Sequence, residues 1–225
     1  MLQQKHLSTI SKDQTIKDTQ YLHTLIAEGE HQQQDFKFII SDARKIARSL
    51  SAFANTDGGR LLIGVKDNRN IAGIRNEEEI YMIEAAATHY CTPKIEFEAR
   101  PHSIEGRQVL EIIVPPSKDR PVYAIDEEKK AWAYVRVHDE NILASPVHLR
   151  AWKGKTRAIG ELITLSSTEQ LLMTKLQTHE PVNLNKFYKE AQISRHTALK
   201  LFAQFVQLGI MKPYYHKMQW LYIQE

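Results

Sequence analysis

Cysteine is almost missing from this chain: one residue, Cys91, among 225. A single thiol excludes an intrachain disulfide and makes a reducing compartment the expected setting. Long apolar runs are missing too. None approaches the ~18 residues a membrane span needs, and the opening MLQQKHLSTISKDQ lacks the apolar stretch of a secretory signal. A cytoplasmic protein with no membrane partner is expected. There is no internal repeat, and the Gln32-Gln33-Gln34 run is too short to count as low complexity.

Several enzyme signatures are also lacking. Gly58, Gly59 and Gly64 lie close together, but a helix-like segment precedes them and no Gly-Lys-Ser/Thr follows. A phosphate-binding loop needs the order strand, glycine turn, helix, so neither that motif nor the dinucleotide-binding fingerprint fits. No Gly-x-Ser-x-Gly elbow is present. His89 and Cys91 form one His-x-Cys pair with no second pair at metal spacing, which argues against zinc and leaves Cys91 as a small buried thiol.

What is present suits one large domain or two modest ones, with 42% apolar and 25% charged residues. The net charge of +3 is small but unevenly spread. Residues 155–225 hold nine Lys/Arg against five Asp/Glu, a local +4, leaving −1 for residues 1–154. A basic C-terminal module suits nucleic acid.

Residues 1–20 are polar and read as a loose arm or a first helix with little to bury. Tyr21–Ala27 has helical spacing and ends at Glu28-Gly29. DFKFII alternates like a strand, with Asp35 and Lys37 on one side and Phe36 and Phe38 on the other. Ser41 or Asp42 can cap a helix whose Ile46, Leu50 and Phe53 share a face. Asn55-Thr56-Asp57-Gly58-Gly59 ends it, and RLLIGV reads as a strand covered on both faces. The run 77–90 is helical. KIEFEA and VLEIIV pair around an EGR turn, and PVYAI pairs with WAYVRV around DEEKK. Helices interleaved with a mostly antiparallel set of strands predict an α+β fold.

After Trp152 the pattern changes. Residues 153–160 read as a linker. A capping box at Ser167 and Gln170, a cap at Asn183 and a cap at Ser194 predict three helices, the last ended by Gly209. Two short strands around a turn at His216-Lys217 follow. That order predicts a winged helix-turn-helix. In its third helix His196, Lys200, Gln204 and Gln207 form a polar stripe, with Arg195 and Thr197 in the first turn, where phosphates and base edges are contacted. The same stripe would suit a wet helix face or a docking module.

Three acids complete the candidates: Glu30 and Asp35 flank the start of the first strand, and Asp67 follows RLLIGV. Brought together they could hold a divalent metal, although a spacing of five lets Glu30 and Asp35 meet only if HQQQ bends. The alternative is three solvated carboxylates at loop ends. Lys37 could pair with Asp35 or contact phosphate.

The motif order GEHQQQDFKF, SAFANTDGGRLLIGVKDNRNIAGI, TPKIEFEARPHSIEGRQVLEIIVPPSKDRPVYA and AWAYVRVHDENILASP resembles the Schlafen-type AlbA-like domain over roughly residues 21–150. The resemblance implies an AlbA-like mixed sheet with helices and a nucleic-acid-binding role, joined in many bacterial regulators to a C-terminal winged helix. It also implies, for some members, metal-dependent RNA cleavage by acids that fall here on Glu30, Asp35 and Asp67. One position departs: the glutamate of the family's Glu-Phe-Lys is Asp35, shorter by a methylene.

The expectation is therefore an arm over 1–20, a Schlafen-type AlbA-like domain over 21–152 and a winged helix-turn-helix over 160–225. The leading function is DNA binding in transcriptional regulation, DNA favoured over RNA, through Lys37, Arg195, His196, Thr197 and Lys200, with no cofactor. The alternative is a divalent-metal endoribonuclease using Glu30, Asp35 and Asp67 with Mg²⁺ or Mn²⁺. Enzymatic activity is left open, as is a homodimer, and a partner-docking module is a third reading.

Overall fold

The computed structural model describes residues 12–74, 78–154 and 166–225. Among these residues no helix is long and apolar enough to cross a membrane. The chain divides into two compact units, residues 1–142 and 143–225.

The first unit is built on a four-stranded sheet in the order β1-β2-β5-β4. Its strands are β1 (Gln34–Lys37), β2 (Gly59–Ile63), β4 (Glu98–Ile104) and β5 (Arg107–Val114). Only β1 and β2 run parallel. Alternation along β2 explains its apolar sequence. Leu61 and Ile63 join the core under α2 (Ala43–Asn55) and α3 (Glu78–Thr88), whereas Leu62 packs with Phe36 and Val109 beneath α1 (Lys12–Glu28). The sheet is thus covered on both faces. A second sheet, β3-β6-β7-β8, comprises β3 (Cys91–Thr92), β6 (Tyr123–Ile125), β7 (Ala131–Val137) and β8 (Glu140–Leu143).

Helix α2 lies between these layers. Asp42 caps it by accepting the Arg44 N–H, and its Ala and Ser residues let it approach α3, β6 and β7 closely. Leu50 and Phe53 are fully buried, each worth about 1.5–3 kcal/mol of burial. The helix stops where expected: Gly58, at φ +71°, returns its N–H to Phe53 O.

In the second unit α4 (Pro146–Lys153) packs with α5 (Ser167–Gln177), α6 (Leu184–Glu190) and α7 (Arg195–Gln207) around Phe187, Phe202, Phe205 and Tyr222. The hairpin β9 (Met211–His216) and β10 (Gln219–Gln224) follows. Asn183 and Ser194 cap α6 and α7 as expected.

Several boundaries differ from the sequence expectation. Of the two readings of residues 1–20, the described part from Lys12 onward follows the helical one, but as one helix with Tyr21–Ala27, buried through the stripe Leu22, Leu25 and Ile26. The capping box of α5 is Ser166 with Glu169, one residue earlier than Ser167 with Gln170, since a carboxylate accepts the cap N–H. β4 begins at Glu98, beyond most of KIEFEA. The hairpin turn is Lys217-Met218, both at positive φ, the twist a two-residue hairpin demands. α4 belongs to the second unit through Val147 and Ala151, whereas the expected first domain ran to 152. Residues 1–11 of the arm and 155–160 of the linker lie outside the described residues.

Candidate functional site

The backbone bends after α1 so that His31 and Gln34 bridge each other, and this brings Glu30 back over β1. Glu30 Oε1 accepts the Phe36 N–H at 2.9 Å, and its carboxyl is hydrogen-bonded to that of Asp35. Glu30 and Asp35 are therefore brought together. Asp35 is buried. Its Oδ2 lies 2.7 Å from Lys37 Nζ and 3.4 Å from the Ser49 hydroxyl, and its Oδ1 lies 3.4 Å from Arg136 Nη2. Burial, then the hydrogen bond to Asp35, pushes Glu30 up to about 7. Burial opposes ionisation of Asp35 as well, but the Glu30 hydrogen bond and the charges of Lys37 and Arg136 outweigh it and hold its pKa below the usual value. The pair shares one proton, with Glu30 the acid and Asp35 the carboxylate.

Asp67 is not part of this pair. Asp35 stands level with Leu61, whereas β2 ends at Ile63, level with Lys37, and the following turn 64–71 carries an exposed Asp67 beyond the end of β1. Among the described residues no group of three or more His, Cys, Asp or Glu is arranged to hold a metal. The donor set also fits a divalent ion poorly, because both Asp35 oxygens already face cations of the chain itself. Lys37 does pair with Asp35, one of the two roles open to it. Its side chain is 32% exposed, and its ammonium also donates to Phe36 O at 2.8 Å.

Three further residues, Arg136, Ser49 and Asn141, join this cluster, and none is among the expected site residues. Arg136 is buried, donates to Gln34 O at 3.1 Å and Asn141 Oδ1 at 3.0 Å, and stacks 5.2 Å from the Phe53 ring centre. A lone arginine inside the apolar strand AWAYVRV was the available signal, since a buried charge requires a partner. What positions Arg136 is the corner Asn55-Thr56. Asn55 Nδ2 donates to Val122 O at 2.8 Å and Tyr134 O at 2.9 Å, its Oδ1 accepts the Val122 N–H at 2.8 Å, and Thr56 Oγ1 accepts the Arg136 N–H at 2.9 Å. The two residues splice α2 to the second sheet. Gly58 and Gly59 let this corner close: a Cβ on Gly58 would lie 2.7 Å from Val114 O, and one on Gly59 2.4 Å from the Phe53 ring.

A second buried cluster was also missed. Glu111 is fully buried in β5, where it faces α1. It accepts from the Tyr21 hydroxyl at 3.0 Å, meets His102 Nε2 at 3.0 Å and lies 3.7 Å from Arg60. His102 Nδ1 meets Asp18 at 2.6 Å. The hydrogen bond to Glu111 overcomes burial and, with Asp18, raises His102; burial of Glu111 is outweighed by His102, Tyr21 and Arg60, which lower it. An imidazolium between two carboxylates fastens α1 to the sheet.

In the second unit, α7 presents Arg195, His196, Thr197 and Lys200 as exposed side chains, while Ala198, Leu201, Phe202 and Phe205 are buried behind them. The Thr197 hydroxyl is 2.8 Å from Ser194 Oγ, within the cap, and Arg195 Nε lies 3.5 Å from Asn185 Oδ1. The polar stripe is shorter than the sequence suggests. Gln207 donates to Ala151 O at 2.7 Å and serves the packing of α4.

A family model described as Schlafen, AlbA_2 matches residues 30–145. No curated protein matches the chain. Among solved structures, the DIP2311 protein from Corynebacterium diphtheriae is similar over 84% of this chain, at 17% identity and a TM-score of 0.45; this chain spans only 36% of that protein. The N-terminal domain of a RecG-related protein from Nitrosomonas europaea is similar over 66% of this chain and 98% of its own length, at 19% identity and a TM-score of 0.39.

Proposed function

Because the chain belongs to the Schlafen AlbA_2 family, we propose that it is a nucleic-acid-binding protein that recognises duplex DNA and acts in transcriptional regulation. The observation that carries the reading is the first turn of α7. Arg195, His196 and Lys200 stand exposed on a helix whose opposite face is wholly buried, and α6, the turn 191–194 and α7 are followed by a β-hairpin. We read this as a winged helix with α7 as the recognition helix, entering the major groove by its N-terminal residues. Its positive N-terminal dipole and these cations favour phosphate.

The divalent-metal ribonuclease reading receives no favouring observation. Asp67 stands apart from the acid pair, and Lys37 and Arg136 neutralise Asp35. The acid pair is read as a clamp that ties β1, α2 and β7 and leaves Lys37 part-exposed for phosphate. Binding of the full chain to labelled duplex DNA, compared with Arg195→Ala/Lys200→Ala, tests the proposal. Loss of affinity in the variant supports it. Equal affinity of variant and wild type removes α7 as the contact.

A further inference from the structure

We propose that the first unit carries a docking groove for a protein partner. The cleft between α3 and residues 95–97 takes a short extended segment of that partner, in which Lys or Arg alternates with apolar residues. The proposal rests neither on α7 nor on nucleic-acid binding. The cleft has a volume of about 630 Å³. One wall is a face of α3 carrying Tyr81, Glu84 and Ala85; the other is Ile95, Glu96 and Phe97, on the run into β4.

Helical spacing divides the side chains of α3 between core and cleft. Ile83, Ala86 and Ala87 are fully buried in the core with α2 and the first sheet. The cleft-facing positions run from Tyr81 to His89 at spacings of three and one, a stripe about 12 Å long at 1.5 Å per residue. The opposite wall is tied to the helix, because the Ile95 N–H donates to Ala87 O at 3.1 Å. Ile95 is buried and Phe97 half-buried, and both pack on the same core as α3. The cleft is therefore formed before any partner arrives, which lowers the entropy lost on binding.

Charge and exposure identify the occupant. Among the described residues, the lining holds two carboxylates, Glu84 on one wall and Glu96 on the other, with no Lys or Arg and no ion-pair partner for either acid. The whole chain carries a net +3, so this negative potential is local. It repels a polyanion and draws a cation. Tyr81 is 65% exposed, and its side chain has no hydrogen bond or ring contact among the described residues. An exposed tyrosine over an apolar floor is the type of anchor that dominates protein interfaces. An extended chain turns alternate side chains to opposite faces, and about four residues at ~3.3 Å each cover the stripe. Its apolar side chains then lie on Ile95, Phe97 and Tyr81, while the Lys or Arg between them reach Glu84 and Glu96 at the rim.

The test uses the full chain and two fluorescein-labelled peptides, Gly-Val-Lys-Val-Arg-Val-Gly and Gly-Val-Glu-Val-Glu-Val-Gly, with binding read by anisotropy. Wild type should bind the basic peptide and not the acidic one. Tyr81→Ala and Glu84→Lys/Glu96→Lys should each weaken the basic peptide about tenfold or more. The charge-reversed variant should in addition gain the acidic peptide, which a misfolded chain would not do. Arg195→Ala/Lys200→Ala should bind the basic peptide as wild type does. Wild type that binds neither peptide, or both alike, overturns the inference. Basic-peptide affinity that survives in either groove variant overturns it too, as does a charge-reversed variant that fails to take the acidic peptide. If neither peptide binds and wild type sediments as a dimer that Tyr81→Ala breaks, the groove belongs to a second copy of the chain and the proposed partner is wrong.

Discussion

Asn55 is where a small change should be most costly. Replacing it with alanine removes every hydrogen bond of its side chain at once: donations to Val122 O and Tyr134 O, a longer one to Ser51 Oγ at 3.3 Å, and one acceptance from the Val122 N–H. A typical hydrogen bond contributes about 1 kcal/mol net, and a buried group left without a partner costs about 1–3 kcal/mol. Asn55 is 2% exposed, so water cannot readily replace it. The expected loss is on the order of 3–5 kcal/mol, confined to the first unit. Amide hydrogen exchange on the full chain reads this directly. Leu62 and Ile112, deep in the first unit, should exchange roughly 10²–10³-fold faster or more, since each 1.4 kcal/mol is tenfold. Leu201 and Phe202 in the second unit should be unchanged. If Leu62 and Ile112 slow or speed by less than about fivefold, the corner does not hold the two layers together and the account of this motif is wrong.

Other consequences follow from the same geometry. Gly58→Ala should destabilise the first unit by more than the roughly 1–2 kcal/mol of its left-handed backbone, because its Cβ would press on Val114 O, whereas Gly106→Ala, at φ +74° with open space, should cost only the backbone term; urea midpoints compare them. Glu30 holds its proton up to about 7 in the folded protein against an ordinary value of 4.5. Its contribution is therefore complete below about 4.5 and is lost as pH rises through about 7, so the stability of wild type relative to Glu30→Gln should fall across that window. A flat difference refutes the shared proton. His102 is raised, so the stability it gives is present below its ordinary 6.5 and disappears as pH rises past the elevated value; Glu111 is lowered, so its share is lost on acidification. Glu111→Gln should cost on the order of 3 kcal/mol and remove the alkaline loss, read by denaturation at two pH values.

Much of this was legible from local pattern. The doubly apolar RLLIGV gave away a sheet covered on both faces, and the caps Asn183 and Ser194, with Asp42 as one of two candidates, marked helix starts because capping depends on neighbours in sequence. What was not legible depended on residues far apart. Glu30 and Asp35 meet because His31 and Gln34 bridge, and one of the charges that keep Asp35 ionised comes from Arg136, about a hundred positions away. The register that leaves Asp67 beyond the end of β1 is likewise a tertiary fact. The short β3 and β8 and the Glu111–His102–Asp18 cluster escaped for the same reason: two- to four-residue strands have no periodicity, and a buried charge in sequence looks like a solvated one. In α7 the residues at its exposed start were readable from spacing, but Gln207 belongs to the packing of α4.

The central claim, that α7 grips duplex DNA, is tested most directly by the salt dependence of binding. For the full chain, log K should fall linearly with log salt, with a slope of about −0.9 for each phosphate neutralised, and Arg195→Ala/Lys200→Ala should reduce that slope by up to about two while lowering affinity. Duplex binding that is absent at low salt, or whose slope and strength are the same in wild type and variant, would contradict the claim.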